Sequence, residues 1–178
     1  REGYVALRFS ADVPAMEKVA TRAVDPDGGG VQDMTLFCFD SYGLFITTVT
    51  AEVISTDVSN GTFQAQVPEN TRTVHFLANQ VMTDFEQDQF RSKSEAEVMA
   101  LLEGSSGRMI YWARFACDNS TDELKKQTIA QQMSGKGNSI TMLRNHAKVS
   151  VNAPEDNGYF TVEGFAVYNT NAFGTVAP

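Results

Sequence analysis

The sequence predicts a mainly β protein, an antiparallel β-sandwich with a short helical insertion. Several stretches alternate apolar and polar residues with the two-residue period of a half-buried strand. Short turns rich in Gly, Pro, Asn and Asp join them. The stretches with helical spacing cluster in mid-chain instead of alternating with strands, which argues against a parallel α/β fold.

In chain order, GYVALRF places Val5, Leu7 and Phe9 on one strand face. VQDMTLFCFD puts Met34, Leu36 and Cys38 on one face and Phe37 and Phe39 on the other, the pattern of a strand covered on both sides. Ser41, Tyr42 and Gly43 form a hairpin connection into YGLFITTV. GTFQAQVP and TRTVHFLAN follow, separated by the turn PEN. QVMTDFEQDQF and KSEAEVMALLE carry apolar residues three and four apart, predicting short amphipathic helices.

RMIYWARFA is an aromatic strand in which Trp112 alternates with Ile110 and Arg114 and is expected to be largely buried. DELKKQTIAQQM predicts one helix capped by Ser120 or Thr121. SITMLRNHAKVSV and YFTVEGFAVYN read as two long strands joined by the turn NAPEDNG. The first is expected to bury Leu143, Ala147, Val149 and Val151 and to turn Arg144, His146 and Lys148 outward. The expected strands therefore lie near 3 to 9, 31 to 40, 61 to 78, 107 to 116, 139 to 151 and 159 to 169.

At 178 residues the chain fits one domain with a sizeable core. A net charge of -8 and a pI near 4.7 would repel a phosphate backbone, so nucleic acid is excluded as a partner. No window approaches the roughly 18 apolar residues of a membrane-spanning helix. The chain opens at Arg1 with neither an initiator methionine nor a charged-then-apolar leader, and the expectation is a removed signal or a trimmed end. Cys38 and Cys117 are too far apart in sequence for a paired-thiol zinc motif. Two separate buried thiols and one disulfide both remain open.

No catalytic constellation emerges. GSSGR at 104 to 108 lacks the spacing of a nucleophile elbow, and GKGNS carries Gly137 where a phosphate loop needs Ser or Thr; both read as turns. Asp25 and Asp27 are spaced like the first two ligands of a calcium loop, but Gly29 and Leu36 occupy later ligand positions. Asp84, Glu86 and Asp88 spread around a helix instead of converging. His75 and His146, the two histidines, read as unrelated strand residues. The expectation is a protein that is not an enzyme and holds no metal or cofactor.

The succession of VALRF, TRAVDPDGGGVQDMTLFCFDSYGLFI, VHFLANQ, LRNHAKVSV and FTVEGFAVYNTNAFGTVAP resembles the fimbrillin superfamily of Bacteroidales, the subunits of type V pili. The resemblance implies a transthyretin-like sandwich serving as a structural or adhesive stalk, anchor or tip subunit of a cell-surface fimbria. It also implies outer-membrane attachment through a lipid-bearing cysteine outside this chain. Such subunits carry two sandwich domains in series. Residues 1 to 178 match the first, with NAFGTVAP near the start of the linker to a second domain beyond this chain. The partners implied are other fimbrial subunits, joined by donor-strand addition, together with host or bacterial surface ligands. Arg22 and Ala23 resemble the site cut by an arginine-specific protease, and the adjoining DPDGGG is flexible enough to enter a protease cleft. The alternative is a carbohydrate-binding surface lipoprotein domain using aromatics such as Tyr111, Trp112 or Tyr168.

Overall fold

The computed structural model describes residues 2–13, 30–57, 59–80, 87–105, 109–145, 164, 166, 168 and 173–176. Two sheets pack face to face. The four-stranded sheet runs in the order β4 (Glu52–Thr56), β5 (Asn60–Pro68), β1 (Tyr4–Asp12), β9 (Ser139–Thr141). The five-stranded sheet runs β10 (Leu143–Arg144), β8 (Tyr111–Ala116), β6 (Thr73–Ala78), β2 (Met34–Phe39), β3 (Phe45–Thr50). Among the described residues every strand pairing is antiparallel except that of β1 with β9. A short ladder joins β7 (Glu103–Ser105) to β11 (Phe173–Thr175).

Strand alternation builds the core between the sheets. Leu7, Phe9 and Ala11 of β1 and Phe63, Ala65 and Val67 of β5 face Met34, Leu36 and Cys38 of β2 and Val74, Phe76 and Ala78 of β6. Phe9 spans both layers: its ring stacks on Phe63 at 5.8 Å within its own sheet and meets Phe76 edge-on at 4.9 Å across the core.

The opposite face of β2 and β6 builds a second core from Phe37, Phe39 and Leu77 with Phe90, Val98 and Leu102. MTLFCF is buried at every position, as its two apolar faces require. The cover includes α1 (Glu95–Leu101), started by a capping box in which the Ser94 side chain and Glu97 satisfy each other's backbone N–H groups. Two further short helices among the described residues, α2 (Asp122–Lys126) and α3 (Ile129–Gly135), follow β8.

Local chemistry fixes the strand ends. At the β2–β3 hairpin, Asp40 Oδ1 accepts from the N–H groups of Tyr42 and Leu44, and Gly43 takes φ +72°. After β6, buried Asn79 turns left-handed at φ 65°. Its amide donates to the Gly30 and Met109 carbonyls while its oxygen accepts from Gln32 N–H. This tie accounts for Asn79 in VHFLANQ: an aliphatic residue there would remove the side-chain partner of two carbonyls and one N–H.

Several elements differ from expectation. DELKKQTIAQQM forms two helices, because Thr128 starts a second capping box with Gln131 and α2 stops at Gln127. Arg72 donates to the carbonyls of Lys125 and Gln127 at that break. SITMLRNHAKVSV is not one strand over its described part: the chain crosses between sheets at Met142, which is fully buried. The crossing shifts the alternation, so Leu143 is 50% exposed and Arg144 half-buried. GSSGR does not begin as a turn, since Gly104 and Ser105 pair with Gly174 and Phe173. Gly104 packs so tightly that a Cβ would sit 2.6 Å from Asn145 Nδ2. Gly164, Ala166 and Tyr168, the described residues of the expected 159 to 169 strand, are exposed and unladdered. The ladder on β7 is made by Phe173–Thr175 instead. Strand β4 was not anticipated: all five of its residues are exposed, so it has no alternation to read.

Both cysteines are free and buried. Cys117 N–H donates to the Arg72 carbonyl just before β6, while Cys38 of β2 is in register with Val74 of β6. With β6 between them, the two backbones are about 9–10 Å apart, beyond the roughly 7 Å a disulfide can span. Burial pushes the Cys38 thiol up to about 12 and raises Cys117 as well. A thiol reagent is expected to leave Cys38 unlabelled in the native protein and to label both residues in denaturant. Native labelling of Cys38 would contradict this packing.

Candidate functional site

Arg22, Ala23, Asp25, Asp27, Asp84, Glu86, His146 and Lys148 lie outside the described residues, as do Ala147, Val149 and Val151. Asp88 is described and forms an exposed i,i+3 pair with Arg91.

β1 is the first strand of the chain, yet it is internal to its sheet. It pairs with β5 along its whole length, from Tyr4↔Pro68 to Asp12↔Asn60. Its other side meets β9 only at Ser10, Ala11 and Asp12. It supplies Leu7, Phe9 and Ala11 to the core and continues into the stretch that contains Arg22. The strand is thus a core-filling element that precedes Arg22 in sequence, while both strands it pairs with follow that residue.

Among the described residues the sheet edges differ in quality. β9 and β10 are short. β4 is bulged at Ile54, where the register skips from Val53 to Ser55. β3 skips at Ile46, leaving Thr47–Thr50 in regular pairing with β2. Bulges and short edges discourage unplanned strand pairing.

Where β3 gives way to β4, Ala51 N–H donates to the Met34 carbonyl and the chain passes from one sheet to the other. β4 begins at Glu52, opposite Gln64, so Ala65–Pro68 of β5 have no β4 partner. A cleft of about 460 Å³ opens at this crossing, between Thr47–Thr50 on one side and Gln64–Gln66 on the other.

On the outer face of the five-stranded sheet, β6, β8 and α1 bring four polar side chains together. Trp112 Nε1 donates to His75 Nδ1 at 2.9 Å. An indole nitrogen can only donate, so Nδ1 is the acceptor and the ring proton sits on Nε2. His75 Nε2 therefore donates to Glu95 Oε1 at 2.6 Å. Arg114 donates to the same carboxylate through Nε at 2.6 Å and Nη2 at 3.3 Å. Burial lowers the His75 pKa against the opposing pull of Glu95. The Arg114 hydrogen bond holds Glu95 below the usual carboxylate range. The arrangement is a neutral imidazole between an indole and an ionised carboxylate, and it fastens α1 to the sheet. His75 is thus a network member and not an isolated strand residue.

The aromatic residues considered as ligand platforms separate. Tyr111 is buried at 1% exposure. Trp112 is half-buried instead of largely buried, because its ring lies at the margin of the second core with its N–H committed to His75. Tyr168 is 83% exposed. No helix among the described residues is long and apolar enough to cross a membrane.

No family model matches the chain, and no curated protein matches it. Two solved structures are similar to it. One is the tip fimbrial protein Mfa3 from Porphyromonas gingivalis with a C-terminal truncation, at 14% identity and a TM-score of 0.47, covering 79% of this chain and 48% of that one. The other is a fimbrial assembly protein from Parabacteroides distasonis, at 13% identity and a TM-score of 0.49, covering 98% of this chain and 68% of that one. The chain thus spans about half the length of the tip protein it matches.

Proposed function

We propose that this chain is a non-enzymatic, structural or adhesive subunit of a cell-surface fimbria, joined to its neighbours by strand addition. The observation that carries the reading is the position of β1. A cut at Arg22 would separate β1, a strand that fills the core, from the strands that follow it, and its departure would leave a groove lined by Phe63 and Phe76. Such a groove exposes a continuous apolar surface and the unpaired backbone of β5, which a strand from another subunit satisfies. The ordered sequence resemblance to fimbrillins supports the same role. Cell-surface location, a lipid anchor outside this chain and a second sandwich domain beyond it belong to the same proposal.

Limited digestion with an arginine-specific protease tests it. Cleavage between Arg22 and Ala23 is expected first, followed by polymerisation or capture of a donor-strand peptide. Arg91, with its side chain 80% exposed, is the internal control. Cutting at Arg91 while Arg22 resists, or assembly unchanged in Arg22→Ala, would overturn strand exchange at this site.

A further inference from the structure

We propose that the cleft at the crossing between the sheets binds a neutral carbohydrate. Tyr4 of β1 belongs to its lining, so the site is a property of the uncleaved chain. Thr47, Thr48, Thr50, Gln64 and Gln66 line it; the two glutamine amides can each donate and accept, while the Thr47 hydroxyl already donates to the Thr48 carbonyl and Thr48 is buried. Glu52 adds one carboxylate acceptor, and no Lys or Arg lines the cleft. A phosphate, sulfate or carboxylate ligand would find no counter-charge there and would meet Glu52 instead. Tyr4 contributes the aromatic ring, a surface on which the apolar face of a sugar can rest. Gln64 and Gln66 share a strand face about 6.7 Å apart, which lets two amides address separate hydroxyls of one ligand.

The bulges argue against the rival occupant, an added peptide strand. Ile46 on β3 and Ile54 on β4 interrupt the ladders on either side of the cleft, leaving only Thr47–Thr50 as regular edge on β3. That is short even for an ordinary strand. Bulges at such positions re-aim side chains beside binding sites. A volume near 460 Å³ falls within the range of small-molecule sites.

The test is saturation-transfer NMR of the whole chain with a panel of neutral mono- and disaccharides, a sialylated sugar, a uronate, and an uncharged threonine-rich peptide. Neutral sugars are expected to bind with affinity on the order of millimolar, as suits an open cleft. The paired substitution Gln64→Ala and Gln66→Ala is expected to weaken them about tenfold. Both side chains point away from the core, so the thermal midpoint should hold, and Tyr168→Ala should leave binding unchanged. Four outcomes would overturn the assignment: no transfer to any neutral sugar, preference for the acidic sugars, binding of the peptide alone, or binding that survives the paired substitution. None of them bears on cleavage at Arg22, so the two readings fail separately.

Discussion

Phe76→Ala is expected to lower the unfolding free energy by about 3–5 kcal/mol, the usual cost of emptying a phenylalanine site in a core. The ring is fully buried and lies 4.9 Å from Phe9 across the two sheets, so its loss strips both layers of a contact. The neighbours that would have to collapse into the void are held in strand register on either side, which limits relaxation. Native domains hold only about 5–15 kcal/mol in total, and the variant should unfold at much lower urea. An unchanged urea midpoint would mean that the sheets do not face one another through Phe76.

Removing the carboxylate that fastens α1 is expected to cost about 2–3 kcal/mol in Glu95→Ala. The substitution leaves the His75 N–H buried without its acceptor. The Arg114 contribution is smaller because that side chain is 43% exposed and screened by water. The same network makes a pH prediction. The His75 pKa is lowered in the folded state, so below its ordinary value of 6.5 the unfolded chain binds a proton that the folded chain refuses. Stability is therefore complete above about pH 6.5 and falls as pH drops through the window beneath it. Protonation would also place a hydrogen on Nδ1, facing the Trp112 N–H. Unfolding measured across that window should show a positive slope with pH that flattens in His75→Gln. Glu95 has the opposite ordinary charge and acts lower, its contribution disappearing as pH falls below the usual carboxylate range. An identical slope in wild type and His75→Gln would assign the titration elsewhere.

What could be read in the sequence follows from where the information resides. β1 and β2 were legible because a strand facing one core alternates and a strand between two cores does not, and both patterns are local. β4 left no such trace, since every one of its residues faces solvent; only its β-branched Val53, Ile54 and Thr56 hinted at it. The break at Thr128 had a readable signal, a Thr followed three residues later by Gln, but the continuous apolar spacing on both sides masked it. The crossing at Met142 had none, because the sheet a residue joins is decided by distant partners. The same holds for the site. His75, Glu95, Trp112 and Arg114 each look solitary in sequence, and only the register of β6 with β8, together with the docking of α1, makes them one network. The cleft is equally invisible, being the product of a strand that changes sheets beside two skipped registers.

The long register of β1 has a mechanical consequence. A hairpin pulled from its open end loses its rungs one at a time, whereas a force along the axis of a strand loads all of them together. β1 is bound to β5 at every position from Tyr4 to Asp12, with β9 clamping its last three residues from the other side. Tension along β1 therefore meets the combined resistance of the ladder in shear. A strand so held resists extraction along its axis far more than it resists a pull that peels it from β5 one rung at a time.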